Sequence, residues 1–255
     1  ASSGFIRVLG RDPFADRKEN TKHIGVLFGQ RSQLWWDLPP EDTFQVLKRV
    51  YKIPEAVYRE NLKRYADILG AQDFLKQPVR QLSLGQRMRA EILAVLLHAP
   101  KILFLDEPTI GLDVAVKKQI RDLLRIINRE TGVTVLLTSH DMKDIDTVCD
   151  RMIVIDHGRL AVDDAVENVK KKYGTKETVE IEVEGDLSIQ NQAEAEFLLP
   201  RQAVCVREGN LIRCSYDRKD LNAAAVIQAV MDRYKILDVK VKEADIDDVV
   251  EEIYR

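Results

Sequence analysis

The chain has 255 residues, and its 39 basic against 42 acidic side chains leave a formal charge of −3, too near neutrality for the electrostatic footprint of a nucleic-acid binder. With 45% apolar and 32% charged residues, 12 Gly and 8 Pro, the composition excludes a disordered or collagen-like chain and leaves room for a full core and two domains. The longest apolar runs, near Leu93 to Leu97, Ile102 to Leu105 and Val133 to Leu137, fall well short of the roughly 20 residues that span a bilayer. The opening Ala1-Ser2-Ser3-Gly4 has no Met, no basic n-region and no apolar h-region, so it reads as a cut start without a secretion signal. Cys149, Cys205 and Cys214 are too few and too scattered for a disulfide framework or a metal site, which fits a reducing, intracellular compartment.

In chain order, Phe5 to Leu9, His23 to Phe28, Lys101 to Leu105, Val133 to Leu137 and Met152 to Ile155 are predicted strands. The unbroken runs ending at Leu105 and Leu137 are of the kind a parallel sheet buries on both faces, which predicts an α/β sheet. Residues 41–98 turn helical: Tyr58, Leu62, Tyr65 and Leu69 form one stripe, and Gly70 stands where a C-cap belongs. Past the basic stretch Lys170-Lys171-Lys172 the pattern changes. Thr178 to Val183, Ala203 to Val206 and Leu211 to Ser215 are predicted strands, followed by a helix carrying Ala223, Ile227, Val230 and Tyr234 on one stripe, a strand from Ile236 to Val241 and a helix from Asp245. This predicts two domains, 1–174 with a helical insert at about 41–98, and 175–255 as a small α+β unit. Glu208-Gly209-Asn210-Leu211 reads as a two-residue hairpin that sets Cys205 opposite Cys214, with both thiols expected to be reduced.

Chemistry concentrates where apolar strands end in polar groups. The run Ile102-Leu103-Phe104-Leu105 closes on Asp106-Glu107, an acidic pair at the edge where open α/β sheets bind ligands; one carboxylate can hold Mg²⁺ while the other polarises water. Upstream, Leu82-Ser83-Leu84-Gly85-Gln86-Arg87 opens a helix whose Ser hydroxyl and N–H groups can receive a phosphate. Downstream come Gly111-Leu112-Asp113 and, after the second strand, Thr138-Ser139-His140.

In order and spacing these residues resemble the nucleotide-binding subunits of ABC transporters, over residues 1 to about 173. The resemblance implies a P-loop NTPase-type cassette in which Leu82 to Gln86 form the signature motif. Asp106 and Glu107 become the Walker B aspartate and catalytic glutamate, Gly111 to Asp113 the D-loop and His140 the switch histidine. Leu84 stands where the commonest signature has Gly. The segment Phe28 to Pro39 resembles the Q-loop of subunits serving exporters, with Gln30 the first choice for the Mg²⁺ contact and Gln33 the alternative. ATP and Mg²⁺ are the implied cofactors. The implied partners are a membrane permease subunit and a second cassette, identical or not, packed head to tail at the cytoplasmic face of the membrane. Each γ-phosphate would lie between one phosphate loop and the other subunit's signature helix, with Ser83, Leu84, Gly85, Gln86 and Asp113 on the nucleotide side.

A phosphate loop G-x-x-x-x-G-K-S/T belongs before these elements, and no such run occurs in the 255 residues. The expectation is therefore a cassette without its first strands and phosphate loop, inactive by itself. Two other readings stay open: a degenerate subunit lending only its signature motif to a partner's ATP, and a soluble ABC ATPase outside transport. Trp35 and Trp36 are read as a contact with a membrane subunit, Lys170 to Lys172 as a solvated helix end, and Asp163-Asp164 as the start of a helix. His23, His98 and His157 are read as structural or exposed.

Overall fold

The computed structural model describes residues 4–29, 31–185 and 203–254. Gln30, the first choice for the Mg²⁺ contact, lies outside the described residues. The chain divides into two compact units, Ala1–Val148 and Cys149–Arg255, so residues 149–174 group with the C-terminal part, whereas the sequence pattern set the boundary near 175.

The first unit is built on a three-stranded parallel sheet, β1 (Ile24–Phe28), β2 (Ile102–Asp106) and β3 (Thr134–Thr138), in that order. Its registers are in line: Phe28 pairs with Asp106, and Asp106 with Thr138. All three strands therefore stop at one level. Phe5 to Leu9 forms no strand; its ordered feature is a bridge from Val8 to Arg11. After the short helix α1 (Arg17–Thr21) come β1, α2 (Pro40–Val50), α3 (Glu55–Leu69), a 3₁₀ turn at Val79–Gln81 and α4 (Leu84–Leu96). Helix α3 buries Tyr58, Tyr65 and Leu69 as its stripe predicts and ends on Gly70 in the left-handed region, φ 55°. Arg89 of α4 closes that end by donating from Nη1 to the Leu69 carbonyl at 2.8 Å.

Helix α5 (Val114–Thr131) and the short α6 (Met142–Val148) complete the unit. One face of the sheet enters the core through Leu103 and Leu105, packed with Ile92, Leu93, Leu96 and Ile120. The other face, bearing Phe104 and Leu136, is 37% and 46% exposed, so the expected burial on both faces holds for one face of this unit. A glycine makes the packing of β1 on α4 possible: a Cβ on Gly25 would stand 3.0 Å from the Val95 carbonyl oxygen and 2.9 Å from Leu103 Cδ1.

In the second unit β4 (Arg151–Asp156) and β5 (Arg159–Ala165) form a hairpin. Its loop residues His157 and Gly158 both have positive φ, 44° and 73°, the pattern of a type I′ turn. Asp163 and Asp164 lie in β5 rather than opening a helix: Asp163 pairs with Arg151, and Asp164 accepts from Asn168 of α7 (Val166–Tyr173). A four-stranded antiparallel sheet follows, β6 (Lys176–Val183), β7 (Ala203–Glu208), β8 (Leu211–Asp217) and β9 (Ile236–Glu243), with spatial order β7-β8-β6-β9. With α8 (Ala223–Met231) between β8 and β9, this is the strand order of a ferredoxin-like split βαβ unit. Its core holds Val179, Ile181, Ile212, Tyr216, Val226 and Val230, and the closing helix α9 (Ile246–Ile253) buries Ile246 and Val249.

The hairpin register is the expected one, Cys205 opposite Cys214 and Glu208 opposite Leu211. The reduced state is not: the two sulfurs are joined in a disulfide, with the Cα atoms 4.1 Å apart. Direct opposition on neighbouring strands brings the two side chains within bonding reach, a proximity that counting cysteines does not contain.

Candidate functional site

The shared stopping level of β1, β2 and β3 decides what meets at the carboxyl edge of the sheet. Gly29, Asp106-Glu107 and Thr138-Ser139-His140 emerge side by side. Thr138 Oγ1 donates to Asp106 Oδ1 at 2.7 Å, and the Glu107 N–H is shared between the Thr138 carbonyl at 3.1 Å and its hydroxyl at 3.2 Å. Glu107 takes φ 51°, a left-handed conformation that costs a non-glycine residue about 1–3 kcal/mol and collects at functional sites. It turns the carboxylate toward His140. The ring Nδ1 lies 2.8 Å from Glu107 Oε2, and the His140 backbone N–H donates to the same oxygen at 3.4 Å. Glu107 Oε1 has no hydrogen-bond partner among the described residues.

Gly29 presses on this pair. A Cβ there would sit 2.5 Å from the Asp106 carbonyl oxygen and 3.1 Å from that of Glu107, so only glycine lets the segment leaving β1 cross the acidic pair.

Behind the pair lies a buried polar brace that the sequence reading missed. Asp144, 1% exposed, accepts from Thr109 Oγ1, from Ser139 Oγ at 2.8 Å and from Arg121 Nε at 2.5 Å. Arg121 also donates from Nη2 to Asp141 Oδ2 at 3.2 Å, where Lys117 Nζ donates at 2.6 Å and holds the Asp141 carboxyl below the usual carboxylate range. The loop after β2, the loop after β3 and helix α5 are thus joined through one carboxylate. The acid three residues after Asp141, facing an Arg within the α5 stripe, carries no local signature that would have marked it.

The Ser83–Gln86 group is a helix terminus as expected. Ser83 caps α4: its Oγ accepts from the Gln86 N–H at 3.2 Å while Gln86 Oε1 accepts from the Ser83 N–H at 2.9 Å, a capping box. The Ser83 hydroxyl proton and the N–H groups of Leu84 and Gly85 are left to donate outward. Gly85 packs on α5, where an added Cβ would lie 3.2 Å from Val116 Cγ2, and one on Gly111, φ 70°, would lie 3.2 Å from Leu84 Cδ2. The Asp113 carboxylate caps α5, accepting from the Val116 N–H at 2.9 Å. The Ser83–Gly85 turn and the Gly111–Asp113 turn thus touch each other, while the Ser83 and Asp113 oxygens each cap a helix.

Among the described residues no group of three or more His, Cys, Asp or Glu could hold a metal ion. Asp106, exposed and with one oxygen held by Thr138, suits a hard cation whose remaining ligands are phosphate and water. These residues fit the metal and terminal-phosphate end of a nucleotide. They supply no ring of backbone N–H groups for its inner phosphates, consistent with the lack of a G-x-x-x-x-G-K-S/T run in the sequence.

Gln33, the alternative Mg²⁺ contact, is held at its backbone N–H by Glu91 Oε2 at 3.3 Å. Trp35 and Trp36 are 48% and 55% exposed, and Arg87 lies 5.9 Å over the Trp36 ring. His98 is structural: it stacks on Tyr51 and bonds the Ile24 carbonyl at 3.1 Å. Among the described residues no helix is long and apolar enough to cross a membrane.

The ABC transporter family profile matches residues 1–110. The uncharacterized ABC transporter ATP-binding protein YhcH of Bacillus subtilis (strain 168) is 33% identical over 169 residues, 66% of this chain and 53% of YhcH, so the chain spans about half of that relative's length. The ABC transporter ATP-binding protein NatA of the same organism is 30% identical over 168 residues, 66% of this chain and 68% of NatA. Among solved structures, cbiO1 from Clostridium perfringens, part of the ABC transporter complex cbiONQ, superposes with a TM-score of 0.59 at 28% identity, over 67% of this chain and 69% of that one.

Proposed function

Because the chain belongs to the ATP-binding proteins of ABC transporters, we propose that its first unit carries the hydrolytic edge of a subunit that powers transport by ATP hydrolysis. The observation that supports this reading most is the Glu107–His140 contact at 2.8 Å, directly beside Asp106 at the carboxyl edge of the sheet. When bound, Mg²⁺-ATP supplies the phosphoryl group and the metal charge that neutralises it. Asp106 and, by the resemblance, Gln30 would hold that metal. Glu107 takes a hydrogen bond from the attacking water on Oε1 while His140 fixes Oε2, so the base is aimed before water arrives. With Nδ1 on Glu107, Nε2 is the ring nitrogen that would be left to face a γ-phosphate oxygen. Ser83, Leu84 and Gly85 offer a hydroxyl and two N–H donors to the nucleotide of a second cassette, Gln86 keeps Ser83 in place, and Asp113 sets the D-loop by capping α5.

In this reading the partners are a permease subunit, touched by Trp35-Trp36, and a second cassette, at the cytoplasmic face of a membrane. The direction is export, on the resemblance of Phe28 to Pro39 alone; ATP-dependent uptake by whole cells, in place of efflux, would overturn it. The second unit is an accessory domain without a catalytic role.

In the full-length gene product we expect Mg²⁺-dependent ATP hydrolysis that Glu107→Gln lowers by about 10²–10⁴-fold with nucleotide still bound. Wild-type turnover in that variant would remove Glu107 from the chemistry. The polypeptide 1–255 alone is expected to show none, because no residue run in it cradles the inner phosphates. Hydrolysis restored when it is mixed with a hydrolysis-deficient cassette that has an intact phosphate loop would instead support the signature-lending reading.

A further inference from the structure

Helix α4 is apolar and buried from Ala90 to Leu97 except at one position, Glu91, whose exposure is 4%. A buried carboxylate costs several kcal/mol unless its oxygens are satisfied, so its partners define what it does. Both oxygens point to the segment leaving β1: Ser32 Oγ donates to Oε1, and the Gln33 N–H donates to Oε2 at 3.3 Å. Ser32 in turn accepts from the Leu34 N–H at 3.1 Å, which sets Leu34 into the core at 5% exposure. The next contacts outward are the Trp35 N–H on Thr43 Oγ1 at 3.4 Å and the Arg80 N–H on the Trp36 carbonyl at 2.9 Å. Among the described residues, Glu91 supplies the only side chain from beyond this turn that hydrogen-bonds Ser32 or Gln33.

The same helix begins two turns earlier with the Ser83 cap, and its Arg87 lies over the Trp36 ring. We propose that Glu91 is a positioning residue, a latch that binds the 31–36 segment to α4 so that the Ser83 end of the helix and the Trp35-Trp36 surface move as one body. The inference rests on the reading above only where it assigns that motion to a nucleotide at Ser83; the latch itself is independent of it. Burial pushes the Glu91 carboxyl up, while the donors from Ser32, Gln33 and Leu34 oppose the shift, as expected of an acid kept inside for its contacts.

Hydrogen exchange and tryptophan emission of the 255-residue chain test the latch without nucleotide, since Trp35 and Trp36 are its two tryptophans. In Glu91→Ala the amides of residues 33–35 are expected to exchange at least about tenfold faster, with a shifted emission maximum and unchanged exchange in β2 and α3. Ser32→Ala, which leaves α4 intact and removes one donor, should reproduce part of the effect, and Glu91→Gln, which keeps one acceptor, should fall between Ala and wild type. Unchanged exchange at 33–35, or acceleration spread evenly over the first unit in the milder Ser32→Ala and Glu91→Gln variants, would overturn the latch. In the full-length product, an emission change on adding Mg²⁺-ATP that disappears in Glu91→Ala supports the coupling. The same change surviving in Glu91→Ala defeats the coupling with the latch intact, and no nucleotide binding at all defeats the functional reading alone.

Discussion

Replacing Asp144 by alanine removes one carboxylate on which three elements converge. Arg121, with 8% of its side chain exposed, would keep only Asp141 at 3.2 Å, the buried Thr109 hydroxyl would lose its acceptor, and Ser139 would be left with the Asp141 carbonyl at 3.4 Å. Breaking a buried ion pair from one side costs about 3–5 kcal/mol. The surviving Asp141 contact lowers that figure, and the orphaned Thr109 hydroxyl adds about 1 kcal/mol. An overall loss of about 4 kcal/mol follows, a third or more of the stability of an ordinary domain. Urea unfolding read by Trp35 and Trp36 reports the first unit alone, which matters because a two-unit chain need not unfold in one step. With an m-value of about 2 kcal/mol/M, the midpoint should fall by about 2 M. Arg121→Leu in the same chain should cost less when Asp144 is already alanine than when it is present, since the charge left unpaired is then removed. A midpoint shift below about 0.5 M for Asp144→Ala, or strict additivity of the two changes, would show that the brace does not carry the load assigned to it.

Gly29→Ala should cost about 1–3 kcal/mol by the same assay and disturb the His140 imidazole resonances, because its Cβ would meet the Asp106 carbonyl at 2.5 Å; an unchanged midpoint and spectrum would refute the close crossing. Glu91 has a raised folded pKa, so between its unfolded value of 4.5 and the higher folded value the native state holds the extra proton and stability falls as pH rises. Glu91→Gln should flatten that slope over the same window, and an identical slope in the variant would contradict the assignment. Under non-reducing conditions Cys149 alone of the three thiols should be alkylated, and Cys205→Ser should cost about 2–3 kcal/mol in the second unit, the chain-entropy value for a loop of about ten residues; three reactive thiols in the purified protein would refute the bond.

What could be read in advance was what local patterns encode. The stripe Tyr58, Leu62, Tyr65, Leu69 and the cap at Gly70 define α3 by 3.6-residue periodicity and a left-handed terminator, both properties of a few consecutive residues. The Gly209-Asn210 turn set the register of Cys205 and Cys214, but their oxidation state was inferred from a residue count and came out reversed. Phe5 to Leu9 has strand-like residues but, among the described residues, no partner strand, and its pairing stops at the bridge from Val8 to Arg11. The convergence of Asp106, Glu107 and His140 at one sheet edge was legible because each follows an apolar run, whereas Glu91, Arg121 and Asp144 have partners 20 or more positions away and become visible only when the elements are packed.

The strained Glu107 explains why the brace and the register belong to one design. A left-handed glutamate relaxes unless its neighbours hold it, and the holding groups are the Thr138 carbonyl and hydroxyl at its N–H and the His140 ring at its carboxylate. Both come from the end of β3, so the conformation of Glu107 depends on β2 and β3 staying in register, Asp106 against Thr138. Asp144 then ties Thr109, two residues beyond Glu107, to Ser139, one residue before His140, and pins both to α5 through Arg121. A shift of α5 is therefore transmitted to the acid–imidazole pair, and α5 begins at Asp113, in the turn that packs on Leu84. The chemistry proposed at Glu107 is thereby mechanically linked to the Ser83 turn, the surface proposed for a second cassette, within one unit of this chain.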